Sequence, residues 1–259
     1  MCVRSAPWIV SALLLTSVGG CAFRPSDYSA NRRALIPAAG ASVLKLDVGS
    51  GYLRVEGQPE SDQIVISGIA HAPSAEALDS VRLITTRVAD TIIVSSAIPA
   101  RSRQTPAAAS LDLEIQLPAN LALVVRDSAG ESVFRRTGPI RIVHGDGSLK
   151  IDGVAGNLDV TDADGDMVIS NVTGSVRIMD GAGGIFLSRI GGSVLIPRAG
   201  SGEVQLVDIS GDVTIGSKHS GEVAARGVGG NLAVTSSGNG SIEYRDVRGR
   251  VAIPMAGGH

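Results

Sequence analysis

Residues able to do chemistry are few in this chain of 259, and their spacing limits what they can do. The densest set is Asp162-Ala163-Asp164-Gly165-Asp166, whose alternate carboxylates match the opening of a calcium-binding loop. Such a loop continues with Gly directly after the third acid and Glu at its twelfth place. Those places hold Met167 and Thr173, so the match ends there. Calcium-binding nonapeptide rolls are a poor fit too, because they repeat their Asp and carry one aliphatic residue per unit. The segment reads as a solvated acidic turn. Asp162, Asp164 and Asp166 are the candidates for holding a cation, and no metal or cofactor is expected.

The histidines, His71, His144, His219 and His259, are too far apart for a short metal-ligand spacing. A Ser-His-Asp triad assembles in space, so sequence leaves it open. No Gly-x-Ser-x-Gly elbow joins a strand to a helix, however, and no catalytic residue is assigned. Gly49-Ser50-Gly51 and Gly200-Ser201-Gly202 read as turns. The glycine-rich stretches contain no Walker A pattern, so a phosphate cradle is not expected.

Cys21 carries the clearest chemistry. It follows Arg4, the apolar run Trp8 to Leu15, and Val18-Gly19-Gly20. The run is too short for a permanent membrane helix and has the layout of a secretory leader. An aliphatic residue and two small residues before Cys resemble the lipobox of bacterial lipoproteins. That resemblance implies cleavage after Gly20 and acylation of Cys21. Ala22 in place of Asp then implies an outer-membrane address. Buried acyl chains contribute about 0.8 kcal/mol per CH₂, so two or more hold a protein at a bilayer. Cys2 lies within the leader, which excludes a disulfide framework or a zinc-thiolate site in the processed protein.

The elements that would carry these residues are β-strands. Apolar residues make up 44% and aromatics 3%, so a core must come from Val, Ile, Leu and Ala. Formal charge is −2 and becomes −3 if residues 1–20 are removed, with 22 basic against 25 acidic residues left. That balance gives no support to nucleic-acid binding. Residues 21–41 read as the lipidated Cys and a flexible tether. Residues 42–125 read as an N-terminal β region that packs on the repeats C-terminal to it. Ser74 to Ser80 is the one helical stretch expected, capped by Ser74.

From 126 to 254 the chain repeats, and 255–259 is a tail. Glycines recur every 8 to 10 residues, most of them followed by a small or polar residue and then apolar-any-apolar, as in Gly174-Ser175-Val176-Arg177-Ile178. Every second unit adds an aliphatic residue, namely Val154, Val172, Ile190, Ile209, Val228 and Val247. The full period is 17 to 19 residues with two short strands. This predicts an all-β, parallel β-solenoid whose coils stack at about 4.8 Å. Four inward ladders result, starting from Leu149, Ile151, Leu158 and Val160. Asp146 should stack on Asp164 and Asp162 on Asp180, with Arg198 continuing the second column. Outward positions are mostly polar. Val168 and Phe186 are exceptions in adjacent coils: candidates for binding a partner, or residues covered by a loop or the N-terminal strands, with cover favoured.

The chain is similar to the bacterial putative-adhesin family of β-strand-repeat proteins, whose members often carry lipoprotein leaders. The likeness rests on Gly49-Ser50-Gly51-Tyr52-Leu53-Arg54-Val55-Glu56-Gly57, on Leu111-Asp112-Leu113-Glu114-Ile115-Gln116-Leu117-Pro118 and on the glycine-spaced units. It implies a solenoid-like β fold in the cell envelope and carries over no catalytic residues. The expectation is a lipid-anchored protein without enzymatic activity that binds a protein or polysaccharide, facing the periplasm or the cell surface. A periplasm-facing scaffold for a protein or cell-wall polymer is the alternative. A carbohydrate-active enzyme is the third class, and it would need carboxylates converging on one face.

Overall fold

The computed structural model describes residues 28–98 and 109–254. The first part contains β1 (Tyr28–Pro37), β2 (Val43–Ser50), β3 (Leu53–Gln58), β4 (Gln63–Ala72), helix α1 (Ala75–Ser80), β5 (Arg82–Val88) and β6 (Thr91–Ala97). The second part begins with β7 (Ser110–Pro118), β8 (Ala122–Ala129) and β9 (Ser132–Thr137). Coils then run in pairs: β10 (Ile140–Asp146) with β11 (Leu149–Val154), β12 (Leu158–Asp164) with β13 (Met167–Val172), and β14 (Val176–Asp180) with β15 (Ile185–Ile190). Next are β16 (Val194–Ser201) with β17 (Val204–Ile209), β18 (Val213–Ser220) with β19 (Val223–Val228), β20 (Leu232–Ser236) with β21 (Ile242–Val247), and finally β22 (Val251–Ala252).

These strands form two sheets of 11 strands each, the two walls of a β-solenoid. Sheet I has the order β1-β4-β7-β3-β9-β11-β13-β15-β17-β19-β21, and sheet II has β22-β20-β18-β16-β14-β12-β10-β8-β2-β6-β5. From β8 on, the chain alternates between the walls and each strand pairs in parallel with its equivalent one coil away. Alternation drives this arrangement: apolar-any-apolar places one row inside and one outside. Leu149, Met167, Ile185, Val204, Val223 and Ile242 form one continuous ladder. Leu158, Val176, Val194, Val213, Leu232 and Val251 form another on the opposite wall. Nearly all of these side chains are buried, each contributing about 1.5–3 kcal/mol.

Two corners keep the walls in register. At one, Gly165 has φ +144°, and a Cβ there would lie 1.7 Å from the carbonyl oxygen of Gly147 on the preceding coil. No side chain fits, and Gly130, Gly147, Gly183 and Gly202 repeat the geometry. At the other corner each coil has one left-handed residue: Arg136, Gly153, Asn171, Arg189, Asp208, Gly227 and Asp246. Each stands just before the extra inward residue of its coil, Thr137 or an aliphatic such as Val172, and turns that side chain into the core.

Three features depart from the sequence-based expectations. Residues 28–37, expected within the flexible tether, form β1, which pairs antiparallel with β4. Its inward row of Ala30, Arg32, Ala34 and Ile36 is only half-buried, a weak pattern typical of an edge strand guarded by charge. Arg32 is tied down by bonds to the carbonyls of Val81 and Leu78, both 3.0 Å. Residues 42–125 do not merely pack on the solenoid but extend both of its sheets: β2 and β3 form a coil directly beside β8 and β9. Antiparallel β1, β4 and β5 then cap that end. Finally, the register shifts between β14 and β16, where Ile196 and Pro197 oppose Ile178 and Met179 pairs with Arg198. A bulge accommodates Pro197, which has no N–H to give a ladder.

Helix α1 is capped by Ser74, whose Oγ accepts from the Ala77 N–H at 3.1 Å. Among the described residues no helix is long and apolar enough to cross a membrane.

Candidate functional site

Polar chemistry in the described residues concentrates in two kinds of place: a buried column and the two outer walls. The column lies three residues before each glycine corner. Asp127, His144, Asp162 and Asp180 stack strand on strand along sheet II. After the bulge, Ala199 and Lys218 pair in the same row. All are buried. The cause is parity. Asp127, His144, Asp162 and Asp180 each follow two inward aliphatics at a spacing of two, as in Leu158, Val160, Asp162, so their side chains also point inward; in β16 and β18 one extra residue precedes Ala199 and Lys218.

His144 sits between two carboxylates. Its Nδ1 donates to Asp162 Oδ1 at 2.6 Å, and its Nε2 faces Asp127 Oδ2 at 3.6 Å. Burial alone would make the imidazole easier to deprotonate. The Asp162 hydrogen bond, the Asp162 charge and the Asp127 charge outweigh it and hold the His144 pKa above its ordinary value. Burial raises the Asp127 pKa, against the opposing hydrogen bond donated by Ser132 Oγ. Burial also pushes Asp180 up to about 6, helped by the neighbouring Asp162 charge and opposed by the Gly200 N–H at 3.1 Å. Burial lowers the pKa of Lys218, with Asp180 opposing; its Nζ donates to the Gly202 carbonyl.

Oδ1 of Asp127, Nε2 of His144, Oδ2 of Asp162 and Oδ1 of Asp180 have no hydrogen-bond partner. Ser132, Asp127, His144 and Asp162 include the residue types of a hydrolytic triad, yet the serine bonds a carboxylate rather than the imidazole, and every member is enclosed. A substrate has no path to this column.

The acidic segment is split by the same parity. Asp162 points into the core, while Asp164 and Asp166 are exposed. Asp166 Oδ1 instead accepts from the Gly184 N–H at 2.9 Å. The three are not brought together: one faces the core and two face outward. The expected stacking of Asp146 on Asp164 and of Asp162 on Asp180 is present. The expected place of Arg198 is corrected: the bulge turns it outward beside Met179, and Ala199 takes the inward position.

The outer walls differ in chemistry. On sheet I, Val168 and Phe186 are adjacent, with 42% and 37% of their surfaces exposed. Cover by a loop or N-terminal strand, the favoured expectation, is absent among the described residues, because those strands extend the sheets at the end of the stack instead. The pair borders a shallow hollow of about 460 Å³ floored by Gly183, Gly184 and Gly202 and edged by Asp166 and Glu203. Elsewhere on this wall Arg54 pairs with Glu56 at 2.9 Å and Lys150 with Glu131 at 2.7 Å, and Asp152 accepts a hydrogen bond from Ser170 Oγ at 2.7 Å. On sheet II, Arg126, Arg141, Arg177 and Arg198 project outward among exposed Val143, Met179 and Leu195. Cys21, the expected acylation site, lies outside the described residues.

No protein-family model matches the chain, and no curated protein matches it. Among solved structures it is similar to one described as a "putative cell adhesion protein" from Clostridium sporogenes, with 12% identity, TM-score 0.41, and coverage of 86% of this chain and 100% of that one. It is also similar to a "putative adhesin" from Bacteroides fragilis, with 15% identity, TM-score 0.33, and coverage of 88% and 98%. A third, a "putative lipid binding protein" from Parabacteroides distasonis, has 11% identity, TM-score 0.31, and coverage of 88% and 98%.

Proposed function

We propose that this chain is a non-enzymatic envelope protein, anchored by lipid on Cys21, which binds its partner through the outer walls of the solenoid. One observation carries the reading. The ionisable groups that could act together are sealed inside the stack, while the walls present fixed rows of side chains, including Val168 and Phe186, exposed among the described residues. Rows held by ladders on both sides make a rigid surface, and a rigid surface loses little entropy on binding. An exposed apolar pair beside an open hollow is the kind of surface feature that marks contact sites.

The full chain, purified in detergent and coupled to beads, should be retained by isolated bacterial envelopes. Retention should fall for variants that alter an outer wall, Val168→Ser with Phe186→Ser on sheet I being the first pair to try. Incubation with polysaccharides should release no reducing ends. Retention indifferent to changes on both walls, or turnover of a polysaccharide, would refute the reading. The anchor is tested separately: a Cys21→Ser variant should take up no labelled fatty acid. Protease treatment of whole cells then decides orientation, since only an outward-facing solenoid would be cut and a periplasmic scaffold would survive.

A further inference from the structure

We infer that the C-terminal end of the solenoid docks on a second copy of the chain, the two β21 edges pairing antiparallel about a twofold axis; this surface is separate from the outer walls. The two ends of the stack are built differently. At the N-terminal end β1, β4 and β5 cap the core, and Ala70, Ala72 and Val81 are buried. Arg32 of β1 bonds the carbonyls of Leu78 and Val81 ahead of β5, and Arg87 of β5 bonds those of Pro37 and Ala39, which ties the two sheets together there. At the C-terminal end the ladders stop without a cap among the described residues. Val223, Val228 and Leu232 are fully buried, whereas Ile242, Val247 and Val251, their partners one coil on, are half-buried. Tyr244 and Ile253, in line with buried Ala225 and Val234, are 47% and 38% exposed. A stacked fold left open at its last coil calls for something to cover it.

The two edges at this end differ as well. Sheet II stops on β22, two residues long and soon followed by Pro254, a device that blunts an edge. Sheet I stops on β21, six residues without proline. The Ser241 carbonyl accepts from the Val223 N–H at 2.9 Å, so Glu243 and Arg245 also turn their backbone groups toward β19. Those of Ile242 and Tyr244 then face away from the stack, with no strand beyond them among the described residues.

This edge is complementary to itself. An antiparallel pair centred on Tyr244 sets it against Tyr244 of the partner subunit in a hydrogen-bonded position, each N–H meeting the other's carbonyl. Glu243 then stands opposite Arg245 of the partner subunit, and Arg245 opposite the partner's Glu243, in the positions where side chains come closest. Within its own chain Arg245 stacks on Arg226, so the opposite charge arrives from the second copy. Shifting the centre by one residue sets Glu243 against Asp246 of the partner subunit, which are like charges. A six-residue edge on sheets about 10 Å apart gives an end face of only a few hundred Å² per copy. Such a contact is weak in solution and gains strength where many copies face one another. β1 and β21 lie at opposite ends of an 11-stranded sheet, about 50 Å apart at strand spacing. The twofold axis crosses the stack, so the two N-terminal ends point away from each other. With lipid on Cys21, seven residues before β1, the pair joins two facing membranes; that consequence rests on the proposed anchor.

The full chain in detergent, followed by sedimentation velocity over rising concentration, should pass from monomer to dimer. Glu243→Arg and Arg245→Glu should each weaken the dimer by about tenfold or more, because each turns both cross-strand pairs into like charges. Equal parts of the two variants should associate as the parent does, since each supplies the charge that the other lacks; circular dichroism confirms the fold of both. A full chain that stays monomeric overturns the proposal, as does a dimer that both variants and their mixture leave unchanged. Dimers that appear only once residues 255–259 are removed would make that tail the occupant and overturn it too. Loss of the dimer on changing Cys21, or Val168 and Phe186, would place the contact at the anchor or the wall and likewise overturn it.

Discussion

Asp180 offers the sharpest test of the interior. Its carboxyl ordinarily titrates near 3.8 and is pushed up to about 6, chiefly by burial. Between those two pH values the folded protein holds a proton that the unfolded chain has released, so stability falls as pH rises through that window. Above pH 7 the penalty for the ionised buried group approaches about 3 kcal/mol. The charged and polar groups around it are Asp162 and Asp164 on β12, the Gly200 N–H on β16 and Lys218 on β18. His144 and Asp127, whose pKa values are also raised, act with the same sign: their favourable protonated forms disappear as pH rises. Asp180→Asn keeps the shape of the protonated acid and cannot ionise. The variant should therefore be more stable than the parent at pH 7.5, by up to about 3 kcal/mol, and nearly equal to it below pH 4. Solenoids can unfold in parts, so urea melts should be paired with hydrogen exchange over residues 176–201, which reads the affected coils directly. If the Asn variant is less stable at pH 7.5, or has the same pH slope as the parent, the column is not a site of ionisation strain.

The corners, ladders and buried lysine give further tests. Gly165→Val should prevent normal stacking and cost several kcal/mol, whereas Val168→Ala on the outer wall should change stability by less than about 0.5 kcal/mol; thermal melts compare the two. Ile169→Ala deletes a fully buried ladder residue and should cost about 2–5 kcal/mol in urea titrations. Lys218→Met removes a buried ammonium that faces Asp180. A double-mutant cycle with Asp180→Asn should show coupling of about 0.5–3 kcal/mol, and additivity would mean that the two do not interact.

Much of the stack was legible because its signal repeats. A glycine every nine residues and an apolar pair behind it define a two-strand coil, and the ladders from Leu149 and Leu158 emerge in the predicted register. What escaped has a local cause in each case. The polar column was hidden by residue type: His144, Asp162 and Asp180 look like turn residues, although each stands two places beyond an inward aliphatic. Parity carried one step further would have placed them inside. Arg198 was misplaced because a bulge changes parity, and the 19-residue spacing from Val194 to Val213 was its trace in the sequence. β1 was missed because its row of Ala, Arg and Ile resembles a linker unless the partner strand β4 is known.

Stacking also explains how a solenoid can hold charge inside. In a globular core, a buried acid must find partners wherever the chain happens to pass. Here every inward residue has a neighbour above and below at strand spacing, about 4.8 Å. One column can therefore alternate acid, imidazole and acid, as Asp127, His144 and Asp162 do. The alternation lapses where Asp180 succeeds Asp162, and that is where the largest departure from ordinary carboxylate behaviour falls. The next cation inward, Lys218, is two coils further along, because the bulged strand puts Ala199 between them. The same bulge thus leaves an interior acid short of a partner and sets an additional arginine on the outer wall, which links the stability of the stack to the surface proposed to bind.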